Sequence, residues 1–469
     1  VLLTLALGLV MTVWLAGVRG CVPRLWGAGA GVRLLGWLGL AGLWVVLEWV
    51  RTWLFSGFPW LPLSASQWER PALLQLSAWT GAYGVTFLLV FFNFGLAAYL
   101  LRLFEGIRRA AREGREAARR PWWQRIAPEF YLALGLLLAT FYLFLQLSGK
   151  TREAPPAWQF EAAVVQPWIP AETKFDAAQA RGHWDSLIGL TRQAAAFEPD
   201  ALFWPEAATP YWVVNQTSTT VRDYLHGLTR EAGATLLMGN LAETEEGDYN
   251  GIFIIEPQSG LREDFYAKSK LVPFGEYLPF RSWIPFEIDK VTDALAGGDF
   301  TPGTGPRILA AGINHRTYRV GPLVCYEDIF PGFARDLAAQ GADFHFVVTN
   351  NAWYGEEAGA YQHAAHSVLR AVETRRPVLR SGNHGWSGWV DENGQIRDVL
   401  RNDKGTIYMR GVSSFTLTGS TAYAGTETFY VRWGDWFVAL CALLALAAGV
   451  LHRKRQPIAQ DPPSASNGE

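Results

Sequence analysis

Three side chains capable of acid–base or nucleophilic chemistry each follow a short apolar run that is typical of a buried strand. Glu206 ends Leu-Phe-Trp-Pro-Glu, Lys268 lies in Tyr-Ala-Lys-Ser-Lys, and Cys325 ends Val-Gly-Pro-Leu-Val-Cys. Strand ends are where α/β folds place reactive groups. Their positions therefore make these three residues candidates for one site.

Cysteine chemistry explains why these residue types would occur together. The thiolate is the reactive form of cysteine, so a cysteine nucleophile needs a base for its proton and a cation for its charge. Glu206 can be the base and Lys268 the cation. An acyl transfer also develops an oxyanion, which an ammonium group and backbone N–H groups can stabilise.

Each residue taken alone also has an ordinary structural interpretation. A lone cysteine in a strand is usually a small core residue, a glutamate after a strand is usually a turn residue, and a lysine before a loop is usually a surface charge. His363 and His366 are three apart on a predicted helix, but no carboxylate–histidine zinc motif surrounds them. We therefore predict no metal site.

Residues 158–425 carry the pattern of an α/β layered domain. Short β-branched or apolar runs, such as 161–165 and 344–349, alternate with helical stretches such as 176–197 and 361–375. Such alternation predicts helices packed on sheets. A segment of about 270 residues is long enough to bury its own core.

The rest of the chain is unusually apolar. Half of all residues are apolar and only 18% are charged, which excludes a disordered chain, and three cysteines exclude a disulfide scaffold. A membrane helix needs about 20 mostly apolar residues. We predict an N-terminal membrane domain over 1–150 with helices near 1–18, 33–50, 80–101 and 130–149, and a C-terminal membrane helix at 434–451. Buried helices of a large soluble core are the alternative.

Loop charges set the expected orientation. The segment 102–125 holds eight arginines and three glutamates, and His-Arg-Lys-Arg follows the last helix at 452–455. Basic loops stay in the cytoplasm, so the domain at 158–425 is expected outside. An unpaired Cys325 in an oxidising compartment is then a liability unless its thiol is used. Counting back places Val1 outside, so we expect an odd number of helices upstream, and residues 456–469 read as a disordered cytoplasmic tail.

The ordered set of motifs is similar to a known family. Trp-Pro-Glu206, Lys268-x-x-Leu-Val-Pro-Phe-Gly-Glu276 and Cys325-Tyr-Glu327, at spacings of 62 and 57, resemble the Glu–Lys–Cys triad of the nitrilase superfamily. Within it they resemble apolipoprotein N-acyltransferases. Further matches are spread over the chain from about residue 40 to the last membrane helix: Glu48-Trp-Val-Arg51, Gly57-Phe-Pro-Trp60, Val165-Gln-Pro-Trp-Ile-Pro170, Thr349-Asn-Asn-Ala-Trp-Tyr-Gly355, Gln362-His363 and Arg380-x-x-Asn383.

The resemblance implies a fold and a topology. The domain at 158–425 is expected to be a nitrilase-like α-β-β-α sandwich. Members of the family are expected to have seven membrane helices before the catalytic domain and one after, so three would be missing upstream. The chain departs from the family at Lys174-Phe175, where Lys-Trp is common, at Glu356-Glu357, and at Gly382 in place of Thr.

The resemblance also implies a reaction. Cys325 would take an acyl chain from a membrane phospholipid, expected to be phosphatidylethanolamine at its sn-1 position, and pass it as a thioester to the N-terminal amine of a diacylglyceryl-cysteine apolipoprotein. Glu206 would move the protons, while Lys268 and the N–H of residue 326 would stabilise the oxyanion. No cofactor is needed, because ester and thioester chemistry carry the transfer.

Residues around the triad are expected to form the pocket. Glu276 and Glu327 would shape it or orient Lys268, with a buried ion pair as the alternative, and the remaining candidates are Phe175, Tyr326, Asn350, Trp353 and Tyr354. We expect a monomer in the bacterial inner membrane, with no nucleic-acid partner and with the catalytic domain in the periplasm. Two alternatives stay open: a membrane-anchored amidohydrolase acting on a small amide, and a scaffold with a relic triad.

Overall fold

The computed structural model describes residues 2–26, 28–113, 127–174, 176–215, 219–279 and 299–454. The chain divides into two compact units. The first comprises residues 1–57, 83–139 and 435–469, and the second comprises residues 58–82 and 140–434.

The α-helices and β-strands of the described residues are numbered in chain order. The helices are α1 (Leu2–Trp26), α2 (Ala30–Val50), α3 (Pro71–Leu74), α4 (Ser77–Thr80), α5 (Ala82–Glu113), α6 (Pro128–Glu153), α7 (Ala180–Ala195), α8 (Thr220–Ala232), α9 (Pro331–Ala339), α10 (Gly359–Thr374), α11 (Phe429–Trp433) and α12 (Trp436–Lys454). The strands are β1 (Pro156–Gln166), β2 (Ala201–Trp204), β3 (Thr235–Thr244), β4 (Gly247–Glu256), β5 (Gly260–Leu261), β6 (Tyr266–Ala267), β7 (Leu309–Ile313), β8 (Arg316–Val324), β9 (Phe344–Thr349), β10 (Val378–Gly382), β11 (Gly388–Val390), β12 (Ile396–Val399) and β13 (Gly411–Ser420).

Long apolar helices dominate the first unit. Among the described residues, four helical segments are long and apolar enough to cross a membrane, namely Thr4–Leu25, Ala30–Val50, Ala82–Glu105 and Pro128–Glu153. These segments correspond to the four spans expected before the α/β domain. The span expected at 434–451 is a shorter apolar helix, Trp436–Leu451, below the about 20 residues that a full crossing needs without help from flanking residues.

Small residues let α2 and α12 pack closely within the first unit. A Cβ atom on Gly42 would lie 2.6 Å from the Cys441 carbonyl oxygen, and one on Gly39 would lie 2.4 Å from the Cβ atom of Ala448. Such contacts leave room only for glycine, which is the way membrane helices commonly approach one another.

Two sheets form the centre of the second unit. In the described part of the chain, one sheet has the strand order β13-β1-β2-β3-β4-β5, with β6 paired to β4, and the other has the order β12-β11-β10-β9-β8-β7. Strands β1, β2 and β3 run parallel, as do β8, β9 and β10. Parallel strands are buried on both faces, which is why they read as continuous apolar runs.

The sheets pack face to face, and helices cover their outer faces. Phe203 of β2 and Phe346 of β9 belong to the core between the sheets. Neighbouring Leu202 points the other way and packs with Leu187 of α7 and Leu225 of α8, while α9 and α10 pack on the second sheet. The α-β-β-α sandwich expected for this segment is confirmed.

Residues 58–82 belong to a different unit from the one that the sequence predicts. The hydropathy pattern places them in the membrane domain over 1–150, but in the structure they cluster with the α/β unit. Their polar groups explain the difference: Trp60 donates from Nε1 to Gln362 Oε1 at 3.1 Å, and Gln75 donates from Nε2 to the Asn393 carbonyl oxygen at 2.9 Å. These hydrogen bonds join segments about 300 residues apart, so local hydropathy cannot reveal them.

Candidate active site

Glu206, Lys268 and Cys325 lie together just beyond the carboxyl ends of β2, β6 and β8. Lys268 Nζ is 3.6 Å from Glu206 Oε1, and the charges of both groups act on the Cys325 thiol. The Lys268 side chain is only 1% exposed. A thiol, a carboxylate and an ammonium group therefore share one water-poor site, although neighbours in this group are separated by about 60 residues of sequence.

Two further side chains complete this charged cluster. Glu276 Oε1 lies 2.8 Å from Lys268 Nζ. Asn250, on β4, donates from Nδ2 to Glu206 Oε1 at 2.8 Å and to Glu276 Oε1 at 3.2 Å. The ammonium of Lys268 is thus held between two carboxylates, and the amide of Asn250 fixes how far apart those carboxylates lie. Glu276 and Lys268 thus form a partly buried ion pair.

Cys325 occupies a strained turn. The sequence pattern made it the last residue of a strand, but β8 ends at Val324, and Cys325 begins a short 3-10 turn, Cys325–Ile329, with φ of 50°. A left-handed φ is uncommon for a residue with a side chain and is found most often at functional sites. The turn projects the thiol from the strand, where Thr349 at the end of β9 donates from Oγ1 to Sγ at 3.5 Å.

Glu327 holds the turn in place from behind. Its Oε2 accepts a hydrogen bond from the Val324 N–H at 2.8 Å, and its Oε1 accepts from the Ser269 N–H at 2.7 Å and the Tyr266 hydroxyl at 2.8 Å. Burial raises the pKa of Glu327, and the hydrogen bonds from Val324 and Ser269 oppose that rise. One carboxylate thereby ties the Cys325 turn to the loop that carries Lys268.

A second buried network fixes the backbone of Cys325. His363 Nε2 lies 3.1 Å from the Cys325 carbonyl oxygen and 2.9 Å from Asp328 Oδ1, while Arg380 donates to Asp328 Oδ2 at 2.6 Å. Burial and Arg380 lower the pKa of His363, which favours the neutral imidazole. The other ring nitrogen, Nδ1, lies 2.9 Å from Asn351 Oδ1, which is also an acceptor. A neutral imidazole with its proton on Nε2 therefore requires the Asn351 amide to turn its Nδ2 toward Nδ1.

The electrostatics keep the thiol protonated and the base ionised at neutral pH. Burial, with the adjacent Glu206 carboxylate, raises the pKa of Cys325 to about 12, against the opposing effect of Lys268. Burial also raises the pKa of Glu206, but Lys268 and Lys174 outweigh it and lower the net value. Burial lowers the pKa of Lys268, but Glu276 and Glu206 reverse that and raise the net value. Proton transfer from Cys325 to Glu206 is therefore uphill until a substrate is attacked.

The described residues contain no group of three or more histidine, cysteine, aspartate or glutamate side chains placed to hold a metal ion. The arrangement of Glu206, Lys268 and Cys325 is of the kind that covalent catalysis at sulfur requires, in which a base takes the thiol proton and a cation faces the developing charge.

Two family models match the chain. The carbon-nitrogen hydrolase model matches residues 161–414, and the model of the apolipoprotein N-acyltransferase N-terminal domain matches residues 1–95. The Apolipoprotein N-acyltransferase of Geobacter metallireducens is 32% identical over 89% of this chain and 74% of its own length, and that of Azotobacter vinelandii is 32% identical over 98% and 82%.

The chain belongs to the apolipoprotein N-acyltransferase family. It is an integral membrane protein with a carbon-nitrogen hydrolase domain. Among solved structures, an amidase from Nesterenkonia sp. is similar over 61% of this chain and 98% of its own, with 20% identity and a TM-score of 0.43.

This member of the apolipoprotein N-acyltransferase family places the expected pocket residues in two groups. Tyr326 is buried and packs edge to face on Phe330, with ring centroids 5.1 Å apart. Asn350 is also buried, and its Oδ1 accepts hydrogen bonds from Ala352 and Asn383, which join the loop after β9 to the end of β10.

Trp353 and Tyr354 lie on the surface of that same loop. Trp353 is 68% exposed, which excludes a core role and leaves its ring open to an apolar partner. Tyr354 is less exposed and packs against Trp60, with ring centroids 5.5 Å apart. Phe175, the last expected pocket residue, lies outside the described residues.

Four residues near the triad were not among the predicted site residues. They are Lys174, Asn250, Thr349 and Asp328, all of them buried. Thr349 and Lys174 belong to segments quoted above for the family resemblance, and Asp328 directly follows Glu327, so their positions in the chain were a signal. Asn250 lies within a strand, and only the fold brings it to Glu206.

Proposed function

We propose that this protein transfers an acyl chain from a membrane phospholipid to the N-terminal amine of a diacylglyceryl-cysteine apolipoprotein, through a thioester on Cys325. Membership of the apolipoprotein N-acyltransferase family supports the substrates. The observation that carries the mechanism is the buried cluster in which the Cys325 thiol is electrostatically coupled to the Glu206 carboxylate and the Lys268 ammonium.

The first half-reaction forms the thioester. Cys325 Sγ attacks the ester carbonyl carbon while its proton passes to Glu206. The carbonyl oxygen becomes an oxyanion, which the ammonium of Lys268 and the N–H of Tyr326 stabilise. When the tetrahedral intermediate collapses, the C–O bond breaks, Glu206 returns the proton to the leaving hydroxyl, and a lysophospholipid departs.

The second half-reaction consumes the thioester. The α-amine of the diacylated cysteine attacks the thioester carbonyl carbon, and Glu206 takes the proton that the nitrogen loses. The C–S bond then breaks, and the proton on Glu206 returns to sulfur. The products are an amide-linked acyl chain and the resting thiol, so atoms and charges balance without a cofactor.

Membrane anchoring suits two lipid-linked substrates. A catalytic domain tethered to the bilayer by its own helices meets both substrates at high effective concentration without new contacts. We propose phosphatidylethanolamine as the donor, acting through its sn-1 chain, and a monomer in the bacterial inner membrane. The basic segment 102–125 supports a cytoplasmic loop there and a catalytic domain on the periplasmic side.

A two-stage experiment tests this function. Purified protein is incubated with phosphatidylethanolamine in detergent, and the peptide containing Cys325 is examined by mass spectrometry. A diacylated lipopeptide with a free N-terminal amine is then added. We expect an acyl adduct on Cys325 that disappears as the lipopeptide gains one acyl chain. Cys325→Ala must abolish both signals, and transfer that persists in this variant would refute the proposal.

The same preparation separates the amidohydrolase alternative. Incubation with small amides and measurement of free ammonia would detect hydrolysis. Ammonia release that depends on Cys325, without an acyl adduct from phospholipid, would replace the proposed transfer by amide hydrolysis. The Glu206→Gln variant, which keeps the shape of the site but lacks the base, is assayed in parallel.

A further inference from the structure

Lys174 is a buried lysine that the proposed mechanism does not use. It lies in the loop after β1, it is 4% exposed, and its Nζ donates to the backbone carbonyl oxygen of Glu206 at 2.9 Å. Burial lowers the pKa of Lys174 to about 8, with Glu206 and Cys325 opposing. The amine therefore remains mostly charged at neutral pH, within the electrostatic field of the base and the nucleophile.

The active site contains two carboxylates close to a single ammonium group, that of Lys268, so a second cation is needed for charge balance. Lys268 faces two carboxylates, Glu276 at 2.8 Å and Glu206 at 3.6 Å, so one cation serves two anions. A buried charge without compensation is costly. Lys174 supplies the second cation and lowers the pKa of Glu206 together with Lys268. Further titratable groups among the described residues are electrostatically coupled to this cluster, namely Cys325, Tyr326, Glu327 and Tyr354.

The backbone around Glu206 also needs an anchor. The next residue, Ala207, has φ of 43°, a left-handed conformation that a side chain disfavours. On the other side, a Cβ atom on Gly239 would lie 2.7 Å from the Glu206 Cα atom. Glu206 is therefore presented on a tight turn against β3, and the hydrogen bond from Lys174 is made to the carbonyl group at the centre of that turn.

We propose that Lys174 is a positioning residue of the active site, which anchors the Glu206 turn through its hydrogen bond and keeps the Glu206 carboxylate ionised through its charge. The proposal rests on the function proposed above for the role of Glu206 as the base. The two lysines have different roles. Lys268 faces the reacting atoms, whereas Lys174 acts through Glu206.

Alkylation of Cys325 by iodoacetamide tests this role without any lipid. The reagent attacks the thiolate, which at pH values well below the thiol pKa forms by proton transfer to ionised Glu206. The rate therefore falls when acid protonates Glu206, and the position of this acid limb reports the pKa of Glu206. Mass spectrometry of the Cys325 peptide separates this reaction from those of Cys21 and Cys441.

Three substitutions of Lys174 change its charge and its hydrogen-bond donor in different combinations. Lys174→Gln keeps a donor without the charge, Lys174→Met removes both, and Lys174→Arg keeps both. An opposite charge nearby shifts a carboxyl pKa by about 1–3 units, so we expect the acid limb of the Gln and Met variants to lie at least about one pH unit above wild type. Lys174→Arg should restore it. Exposed Lys404→Gln, which also removes one positive charge, should leave it unchanged.

The outcomes are decisive in both directions. An acid limb that coincides with wild type in folded Lys174→Gln or folded Lys174→Met would overturn the proposal. If the limb moves as expected while phospholipid gives no acyl adduct on Cys325, the role of Lys174 stands and the proposed function fails. If the adduct forms and the limb does not move, the function stands and Lys174 has only a packing role.

Discussion

The Cα atom of Glu206 lies so close to Gly239 that a Cβ atom on the glycine would approach it to 2.7 Å, and would approach the Pro205 carbonyl oxygen to 2.6 Å. Strand β3 therefore needs glycine here in order to let the Glu206 turn pack against it. We expect Gly239→Ala to push Glu206 away from Cys325 and to lower the rate of acyl-adduct formation at least about tenfold, since small displacements in an active site have large effects. Gly189→Ala on α7, where a Cβ atom meets nothing within 4 Å, is the matched control. A Gly239→Ala enzyme with the wild-type rate would contradict this packing.

The Thr349 hydroxyl lies 3.5 Å from the Cys325 sulfur and 3.1 Å from Asn351 Oδ1, so its one proton is shared between two acceptors. The hydrogen bond to sulfur lowers the pKa of a thiol that burial has raised. Thr349→Val has the same shape without the donor, so we expect the thiol pKa to rise and alkylation by iodoacetamide at pH 9 to slow about three- to tenfold, the range expected from losing one hydrogen bond of about 1 kcal/mol. Thr349→Ser retains the hydroxyl and should react at the wild-type rate. Equal rates for Val and wild type would show that the contact does not influence the thiol.

Glu327 joins the Cys325 turn to the Lys268 loop through oxygen atoms that only accept hydrogen bonds. In Glu327→Gln, one of these acceptors becomes an NH₂ group that faces a backbone N–H. We expect a loss of about 1–3 kcal/mol in the free energy of unfolding, the cost of leaving a buried donor unpaired. The measurement is thermal unfolding in detergent, with exposed Glu245→Gln as the control. Equal stability of the Glu327 and Glu245 variants would remove the structural role assigned to Glu327.

Asp328 contributes pH-dependent stability. Burial raises the pKa of Asp328, but His363 and Arg380 outweigh it and hold the pKa well below its usual 3.8. A carboxyl with a depressed folded-state pKa stabilises the fold above its unfolded pKa, and that contribution is lost as the pH falls toward the folded value. We expect Asp328→Asn to melt at a lower temperature than wild type above about pH 5, with the difference shrinking below pH 3.8. Asp403→Asn, at an exposed position, should follow wild type. A difference that stays constant with pH would exclude this ion-pair network as the cause.

The sequence was sufficient to predict the parts of the site that depend on local pattern. Strand β9 has the predicted bounds, Phe344–Thr349, because a short strand buried on both faces reads as an almost continuous apolar run. Glu206, Lys268 and Cys325 lie at strand ends, as their positions in the chain indicated. Their proximity followed from the family motifs rather than from any local periodicity.

The remaining features depend on contacts between distant segments. The turn at Cys325, with φ of 50°, breaks a run that reads as a continuous strand, and it is held by Glu327 and His363 rather than by a local turn motif. Asn250 and Lys174 reach Glu206 from other strands or loops. Residues 58–82 join the α/β unit through hydrogen bonds that span about 300 residues. None of these contacts can be predicted from the hydropathy pattern of the sequence.

In the proposed mechanism, Cys325 becomes the acyl carrier when Glu206 takes the thiol proton beside Lys268. The most direct test is a single-turnover reaction with phosphatidylethanolamine, in which mass spectrometry follows the Cys325 peptide of wild type, Glu206→Gln and Cys325→Ala. We predict one acyl chain on Cys325 in wild type, an adduct that forms at least about a hundredfold more slowly in Glu206→Gln, and none in Cys325→Ala. An adduct at another residue, or one that forms equally fast in Glu206→Gln, would contradict the account.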